Sequence, residues 1–196
     1  MDREKAKKAV SERCDRMNNL QILLDMDGVL VNFVKAASAA HGRPYEPEKI
    51  TQFSMAELWG LSVPEFWKPL VGQQFWADME PYPWASELLA ALREIAPVTI
   101  CTAPSIDYHC CGAKREWLHQ HFGIKSSDVV LANKKWLLAA PNHLLIDDSD
   151  RKVKQFKNAG GRAIIFPQPW NECAELSGAH AWRLVVEQAK VFGGAA

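Results

Sequence analysis

Short apolar runs alternate along the chain with longer segments in which apolar residues recur at helical spacing. Each run has three or four residues, most of them branched, and polar or turn-forming residues bound it. This pattern is typical of strands that are buried on both faces of a sheet. The predicted strands are residues 22–24, 98–101, 129–131, 144–146 and 163–166.

The segments between these runs predict helices, most of which are closed by a glycine that suits the end of a helix. They are residues 31–41 before Gly42, the segment with Leu88, Leu89, Leu92 and Ile95, residues near 113–122 before Gly123, and residues near 153–158 before Gly160. Alternating strands and helices predict an α/β fold with a doubly wound, parallel, five-stranded sheet of the Rossmann-like kind. Ligands of such sheets bind beyond the carboxyl ends of the strands.

Residues 43–83 interrupt the alternation with an irregular segment that is rich in prolines and aromatic residues. Within it, Ser62 and Glu65 have the spacing of a capping box at the start of a short helix, which Pro69 should bend or end. We therefore expect a small helical cap, inserted after the first strand of one domain that covers residues 20–196. Residues 1–19 form a separate arm of mixed charge.

The overall charge excludes several classes of partner. Lys and Arg together number 23, as do Asp and Glu, so neither long nucleic acid nor an anionic membrane surface is expected. No apolar run approaches the ~18 residues of a membrane span. The five cysteines include the adjacent Cys110 and Cys111 and show no CxxC spacing, which favours a reducing, cytoplasmic compartment. The sequence leaves open whether the chain forms a homodimer.

Polar side chains stand at the carboxyl ends of three predicted strands. Asp25 and Asp27 follow the first strand, Thr102 follows the second, and Asp147 and Asp148 follow the fourth. In a doubly wound sheet these ends converge on one crevice. Four carboxylates brought together would raise one another's pKa values unless a divalent cation lay among them, and oxygen ligands favour Mg²⁺.

The segment Asp25-Met26-Asp27-Gly28-Val29-Leu30 resembles the first motif of haloacid dehalogenase-type phosphatases. The resemblance implies that Asp25 attacks phosphorus, and that Asp27 protonates the leaving alkoxide and then activates water on the aspartyl-phosphate. The chemistry is consistent, because a carboxylate attacks a phosphoryl group only if the phosphate charge is neutralised and the leaving oxygen receives a proton.

The other motifs of that superfamily follow in order. Thr102 resembles the second motif, a hydroxyl that donates to a phosphate oxygen, with the Ala103 amide as a second donor. Either Lys134 or Lys135 resembles the third motif, a cation that faces the nucleophile and the phosphate, and the alignment favours Lys135. Beyond these motifs, we expect Lys114 on a solvated helix face, although a helix after the Thr102 loop could direct this charge at a phosphate. We expect Trp170 in a packing role, although its loop could lie at the edge of the pocket.

The fourth motif, which the resemblance assigns to the metal, is Leu144-Leu145-Ile146-Asp147-Asp148. It implies that Asp25, Asp147 and the backbone carbonyl of Asp27 bind Mg²⁺ directly, and that Asp148 acts through water or from a second layer of contacts. Phosphate and water would complete the octahedron that Mg²⁺ prefers. No organic cofactor is expected.

The resemblance narrows to the 5'(3')-deoxyribonucleotidase family. It is carried by the segments 100–104, 108–110, 112–114 with Trp117, 144–148, and, in the cap, Phe75-Trp76 with 79–83. This family implies a nucleoside monophosphate as substrate, seated against Phe75 and Trp76. Because base stacking tolerates different bases, we expect broad base specificity.

Two alternatives remain open at this point. The first keeps the chemistry but changes the substrate to a sugar phosphate, another small phosphomonoester or a nucleic-acid 3'-phosphate end. The aromatic cap argues against sugars, and the balanced charge argues against polymers. The second alternative is a non-catalytic binding protein on a phosphatase fold, which the complete set of motifs disfavours.

Overall fold

A computed structural model of the protein describes residues 20–194, so the predicted arm over residues 1–19 lies outside the described residues. Five strands form one sheet in the order β3-β2-β1-β4-β5, and every neighbouring pair is parallel. The strands are β1 Gln21–Leu24, β2 Val98–Thr102, β3 Val129–Leu131, β4 His143–Asp147 and β5 Arg162–Ile165. The predicted parallel five-stranded sheet is confirmed.

Strand β1 lies at the centre of the sheet, where its carboxyl end meets those of both neighbours. Leu24 is in register with Ile146 of β4 and with Ile100 of β2. The Asp25 amide donates to the Ile146 carbonyl at 2.9 Å, which continues the pairing by one residue. Segments that are far apart in sequence therefore end side by side.

Helices cover both faces of the sheet, as the doubly wound topology requires. The helices are α1 Phe33–Ala40, α2 Met55–Leu58, α3 Val63–Trp67, α4 Gln73–Ala77, α5 Ala85–Arg93, α6 Tyr108–Phe122, α7 Asp150–Asn158 and α8 Ala181–Gly193. Ile22 and Leu24 belong to the larger buried cluster, together with side chains of α5, α6 and α8. Leu23 points to the opposite face, where it joins Phe156 of α7 in a second cluster.

Two helices differ from the prediction. Helix α6 begins at Tyr108 rather than near residue 113, because the Asp107 side chain accepts a hydrogen bond from the His109 amide and caps the helix. Helix α8 was not predicted, although Val185, Val186 and Ala189 have helical spacing and are buried in the core.

The predicted cap is present between β1 and α5 as three short helices, α2 to α4. The capping box of Ser62 and Glu65 is confirmed, since each side chain bonds the backbone of the other residue. Helix α3 ends at Trp67, two residues before Pro69. Among residues 20–194, no helix combines the length and the apolar character needed to cross a membrane.

Candidate active site

The carboxylate of Asp25 lies at the centre of the site, buried at the end of β1. Its Oδ1 accepts a hydrogen bond from the Met26 amide at 2.8 Å and lies 2.7 Å from Nζ of Lys135. The same ammonium donates to Oδ2 of Asp147 at 2.6 Å. Lys135 thus bridges the carboxylates that follow the two adjacent strands.

The choice between the two neighbouring lysines is clear in the structure. Lys135 begins a 3-10 turn, Lys135–Leu138, and its side chain is 1% exposed. Lys134 is exposed. Of the pair, Lys135 therefore occupies the position beside Asp25 that the third motif requires.

Asp148 is held in place by the loop that follows β5. Its Oδ2 accepts a hydrogen bond from the indole Nε1 of Trp170 at 2.9 Å, and its carbonyl accepts one from Nδ2 of Asn171. Gly28 lies directly against the carboxylate, has a positive φ of 77°, and leaves no room for a Cβ. Trp170 therefore fixes a site carboxylate in addition to packing.

Asp25, Asp147 and Asp148 form a cluster that could hold a metal ion. One oxygen from each lies within 4.8 Å of the others, and all three residues are buried. Burial and the neighbouring carboxylates raise the pKa of Asp148 well above its usual value. The three donors are hard oxygens, so the set fits Mg²⁺, and a dication would offset the charge that makes this cluster costly.

The surroundings of Asp25, the nucleophile predicted from the sequence, favour its ionised form. Burial alone would raise the pKa of Asp25, but the ammonium groups of Lys135 and Lys152 outweigh it and bring the pKa well below its usual value. Lys152, in the first turn of α7, lies 3.6 Å from Oδ2 of Asp25 and 3.8 Å from Oδ2 of Asp147. No motif pointed to this lysine.

Asp27 stands apart from the carboxylate cluster and pairs with a lysine. Its Oδ2 accepts from Nζ of Lys114, which also donates to Thr102 Oγ1 at 3.0 Å and to the Ala103 carbonyl at 2.9 Å. Its Oδ1 is buried without a hydrogen-bond partner among the described residues. The metal role that the resemblance implied for the backbone carbonyl of Asp27 stays a prediction.

The expectation that Lys114 lies on a solvated helix face is wrong, because its side chain is 1% exposed. The cause is the early start of α6, which places Lys114 one turn after Cys110 and one turn before Trp117 on the same buried face. This spacing was readable in the sequence. A lysine on an apolar face, twelve residues after Thr102, was the signal.

A cavity of about 400 Å³ opens between the carboxylates and the cap. Its polar floor includes Asp25, Asp27 and Asp148, and Ala103 also lines it. Its aromatic wall consists of Phe33, Phe53, Phe66, Trp67, Trp76 and Trp170. The volume and the mixture of apolar wall and polar floor are typical of a small-molecule site.

Only Trp76 of the predicted aromatic pair lines this cavity. Phe75 faces a separate pocket with Lys35 and Glu80, because successive residues of a helix point about 100° apart. The Trp76 indole donates to Oδ2 of Asp107 at 2.7 Å, which anchors it at the start of α6. Of the predicted pair, Trp76 is therefore placed to meet a ligand in this cavity and Phe75 is not, and base seating on Trp76 stays a prediction.

Residues 18–192 match the sequence model of a family described as 5' nucleotidase, deoxy (pyrimidine), cytosolic type C protein. The chain belongs to this family. Membership identifies it as a phosphoric monoester hydrolase of the nucleotidase type. The resemblance noted from the motifs is thereby confirmed.

Curated relatives match most of the chain. The human cytosolic-type 5'(3')-deoxyribonucleotidase is 29% identical over 162 residues, which is 76% of this chain and 80% of the relative. A putative 5'(3')-deoxyribonucleotidase of Bordetella pertussis is 29% identical over 164 residues, covering 76% of this chain and 84% of the relative.

Solved structures place the nucleotidase in the haloacid dehalogenase fold. A haloacid dehalogenase-like hydrolase of Xanthomonas campestris aligns with a TM-score of 0.57 at 16% identity, covering 90% of this chain and 94% of the other. A hydrolase of this superfamily from Deinococcus radiodurans, with bound phosphate and sodium, aligns with a TM-score of 0.53 at 16% identity, covering 91% and 98%.

Proposed function

We propose that the protein hydrolyses nucleoside and deoxynucleoside monophosphates to nucleoside and phosphate, through an aspartyl-phosphate on Asp25, with Mg²⁺ as its cofactor. One observation carries the proposal: a buried Asp25, held in its ionised form by lysines, lines the same cavity as a set of aromatic side chains. The floor suits a phosphate group, and the wall suits a base.

Asp25 is prepared for attack on phosphorus by its surroundings. Its Oδ1 is engaged by the Met26 amide and Lys135, which fixes the orientation of the carboxylate. A carboxylate held in one geometry loses little further freedom when it meets the phosphoryl group. The bond that forms joins an Asp25 oxygen to phosphorus, and the bond that breaks joins phosphorus to the nucleoside oxygen.

Asp27 is suited to move the proton. Its Oδ1 is free of hydrogen bonds within the described part of the chain, and the residue lines the same cavity. In the first step the protonated Asp27 donates to the leaving nucleoside oxygen. In the second step the carboxylate accepts a proton from the water that attacks the aspartyl-phosphate, so Asp27 returns to its starting state.

The phosphate charge meets Thr102 and a set of cations. Because Thr102 Oγ1 accepts from Lys114, its own hydroxyl proton is left to donate to a phosphate oxygen. The Ala103 amide provides a second donor at the same strand end, and Lys135 offsets the charge gathered around Asp25. These groups stabilise charge that develops during transfer.

Asp25, Asp147 and Asp148, with the Asp27 carbonyl, would hold Mg²⁺. When bound, this ion neutralises phosphate charge and positions the phosphoryl group.

The four described cysteines, Cys101, Cys110, Cys111 and Cys173, are unpaired, which supports a cytoplasmic enzyme.

Phosphate release across ribo- and deoxyribonucleoside monophosphates, sugar phosphates and a chromogenic phosphomonoester, with Mg²⁺ or a chelator, tests the proposal. We expect Mg²⁺-dependent release that is faster from nucleotides than from sugar phosphates. Equal or better rates on sugar phosphates would contradict the nucleotide assignment. No release from any phosphomonoester by the folded protein would support a binding role instead.

The variant Asp25→Asn, compared with Asp128→Asn, tests the nucleophile. Asp128 is exposed at the end of the 3-10 turn Ser126–Asp128, directly before β3, and serves as the matched control. We expect Asp25→Asn to lose turnover while keeping the fold, and Asp128→Asn to retain both. Appreciable turnover by Asp25→Asn would remove Asp25 from the mechanism.

A further inference from the structure

We propose that Lys152 is a phosphate-binding lysine that meets the substrate phosphate from the cavity side, while Lys135 neutralises the carboxylates of Asp25 and Asp147. None of the motifs identified in the sequence assigns a role to Lys152. The inference rests on the proposed phosphatase chemistry at Asp25 and deepens it.

The two lysines occupy different positions around Asp25. Lys135 is 1% exposed, does not line the cavity, and makes contacts of 2.6–2.7 Å with Asp147 and Asp25. Its donors are already directed at these two carboxylates. Lys135 is therefore placed to neutralise the carboxylates of Asp25 and Asp147, and it is poorly placed to reach an incoming phosphate.

Lys152 has the complementary properties. Its side chain is 13% exposed and lines the cavity. Its Nζ lies 3.6 Å and 3.8 Å from Oδ2 of Asp25 and Asp147, both beyond hydrogen-bond distance, and no described residue accepts a hydrogen bond from it. An ammonium with three donors, almost buried and facing a ligand cavity, is suited to bind an anion.

The position of Lys152 relative to Asp25 favours the phosphate as that anion. Oδ1 of Asp25 is engaged by Met26 and Lys135, whereas Lys152 Nζ lies 3.6 Å from Oδ2. A phosphoryl group that reaches the carboxylate through the cavity passes within reach of Nζ. Lys152 follows Asp147 by only five residues, on the first turn of α7, so the same strand-to-helix segment carries both.

The test is equilibrium binding of inorganic phosphate, by calorimetry with Mg²⁺ present, to Lys152→Met, Lys152→Arg and Lys154→Met. Methionine keeps the length and removes the charge, arginine keeps the charge, and Lys154 is an exposed lysine on the same helix. We expect Lys152→Met to weaken phosphate binding about 10- to 100-fold, as for loss of a charge-assisted hydrogen bond. Lys152→Arg should restore most of the affinity, and Lys154→Met should match the parent.

The rival role for Lys152 is neutralisation of the carboxylates alone. In that case Lys152→Met would bind Mg²⁺ more tightly and leave phosphate affinity unchanged, and this result would overturn the inference. Lys152→Gln gives the same comparison should methionine prevent folding. Phosphate binding needs no turnover, so a protein that hydrolyses nothing yet shows Lys152-dependent binding would separate failure of the proposed function from failure of this inference.

Discussion

Asp25 and Asp148 are both buried carboxylates, yet their surroundings shift their pKa values in opposite directions. Asp148 is buried beside Asp147 and Asp25, which raises its pKa. Asp25 is equally buried, but Lys135 and Lys152 face it and lower its pKa. Of these two carboxylates, Asp25 ion-pairs with the lysines and is available as a nucleophile, whereas Asp148 needs a cation to become charged.

Replacing Lys135 by methionine removes the bridge between Asp25 and Asp147. We expect activity to fall by at least about 100-fold, as when one stabilising donor is lost. With a chelator present, the free energy of unfolding should fall by about 3–5 kcal/mol, because two buried carboxylates lose their shared partner. Urea unfolding and steady-state kinetics measure both. The exposed Lys134→Met is the control, and a larger effect from it would reverse the lysine assignment.

Replacing Asp148 by asparagine removes a buried charge but keeps an acceptor for the Trp170 indole. Because the folded pKa of Asp148 is raised, the native state binds more protons than the unfolded state above the ordinary pKa of about 3.9. The contribution of Asp148 to the free energy of unfolding therefore falls as pH rises above that value. We expect Asp148→Asn to be more stable than the parent in chelator at pH 7, and to gain less from Mg²⁺.

Unfolding free energies between pH 5 and pH 8, with chelator and with Mg²⁺, check this prediction. The difference between Asp148→Asn and the parent in chelator should grow with pH. If the parent were more stable than Asp148→Asn at every pH in chelator, the buried charge of Asp148 would be stabilised without a cation, which would contradict the prediction.

At the scale of elements, Asp107 connects the cap with the sheet domain. Its carboxylate caps α6 through the His109 amide and accepts hydrogen bonds from the Trp76 indole at 2.7 Å and the Gly72 amide at 2.9 Å. Partial burial would raise the pKa of Asp107, but these bonds outweigh it and lower the pKa. One side chain therefore fixes the aromatic wall relative to the floor.

Asp107→Ala releases Trp76 and Gly72 without touching the carboxylate cluster. We expect KM for nucleotides to rise about 10-fold, in keeping with the loss of a charged acceptor, and kcat to change much less. Initial rates over a range of nucleotide concentrations separate the two constants. Asp78→Ala, at the end of α4, is the control. A fall in kcat with unchanged KM would show that Asp107 does not act through the cap.

Site residues at the ends of strands could be predicted from the sequence more readily than site residues on helices. Asp25, Thr102 and Asp147 terminate apolar runs, so their convergence followed from strand order and parallel pairing. Lys114 and Lys152 reach the site from helices. The buried position of Lys114 was readable from its helical spacing to Cys110 and Trp117, whereas no motif pointed to Lys152. The start of α6 depends on the side-chain cap of Asp107, which the spacing of apolar residues does not reveal.

At the scale of the whole molecule, the sheet order assembles a site from distant parts of the chain. Strand β1 lies between β2 and β4, so Asp25 stands beside Thr102 and Asp147, which are 77 and 122 residues further along. At the site, lysines lie in contact with carboxylates, as Lys135 does with Asp25 and Asp147. The chain as a whole carries 23 basic and 23 acidic residues. Local pairing, rather than net charge, prepares this site for phosphate.

The central claim, a covalent phosphate on Asp25, is tested most directly by trapping that adduct in Asp27→Asn with p-nitrophenyl phosphate. The nitrophenolate leaves without a proton from Asp27, whereas hydrolysis of the adduct needs Asp27 to activate water. The phosphoenzyme should therefore accumulate. After an acid quench, borohydride reduction converts an acyl phosphate to an alcohol, and peptide mass spectrometry locates it. The account predicts homoserine at position 25, and an active enzyme with homoserine elsewhere or nowhere would contradict it.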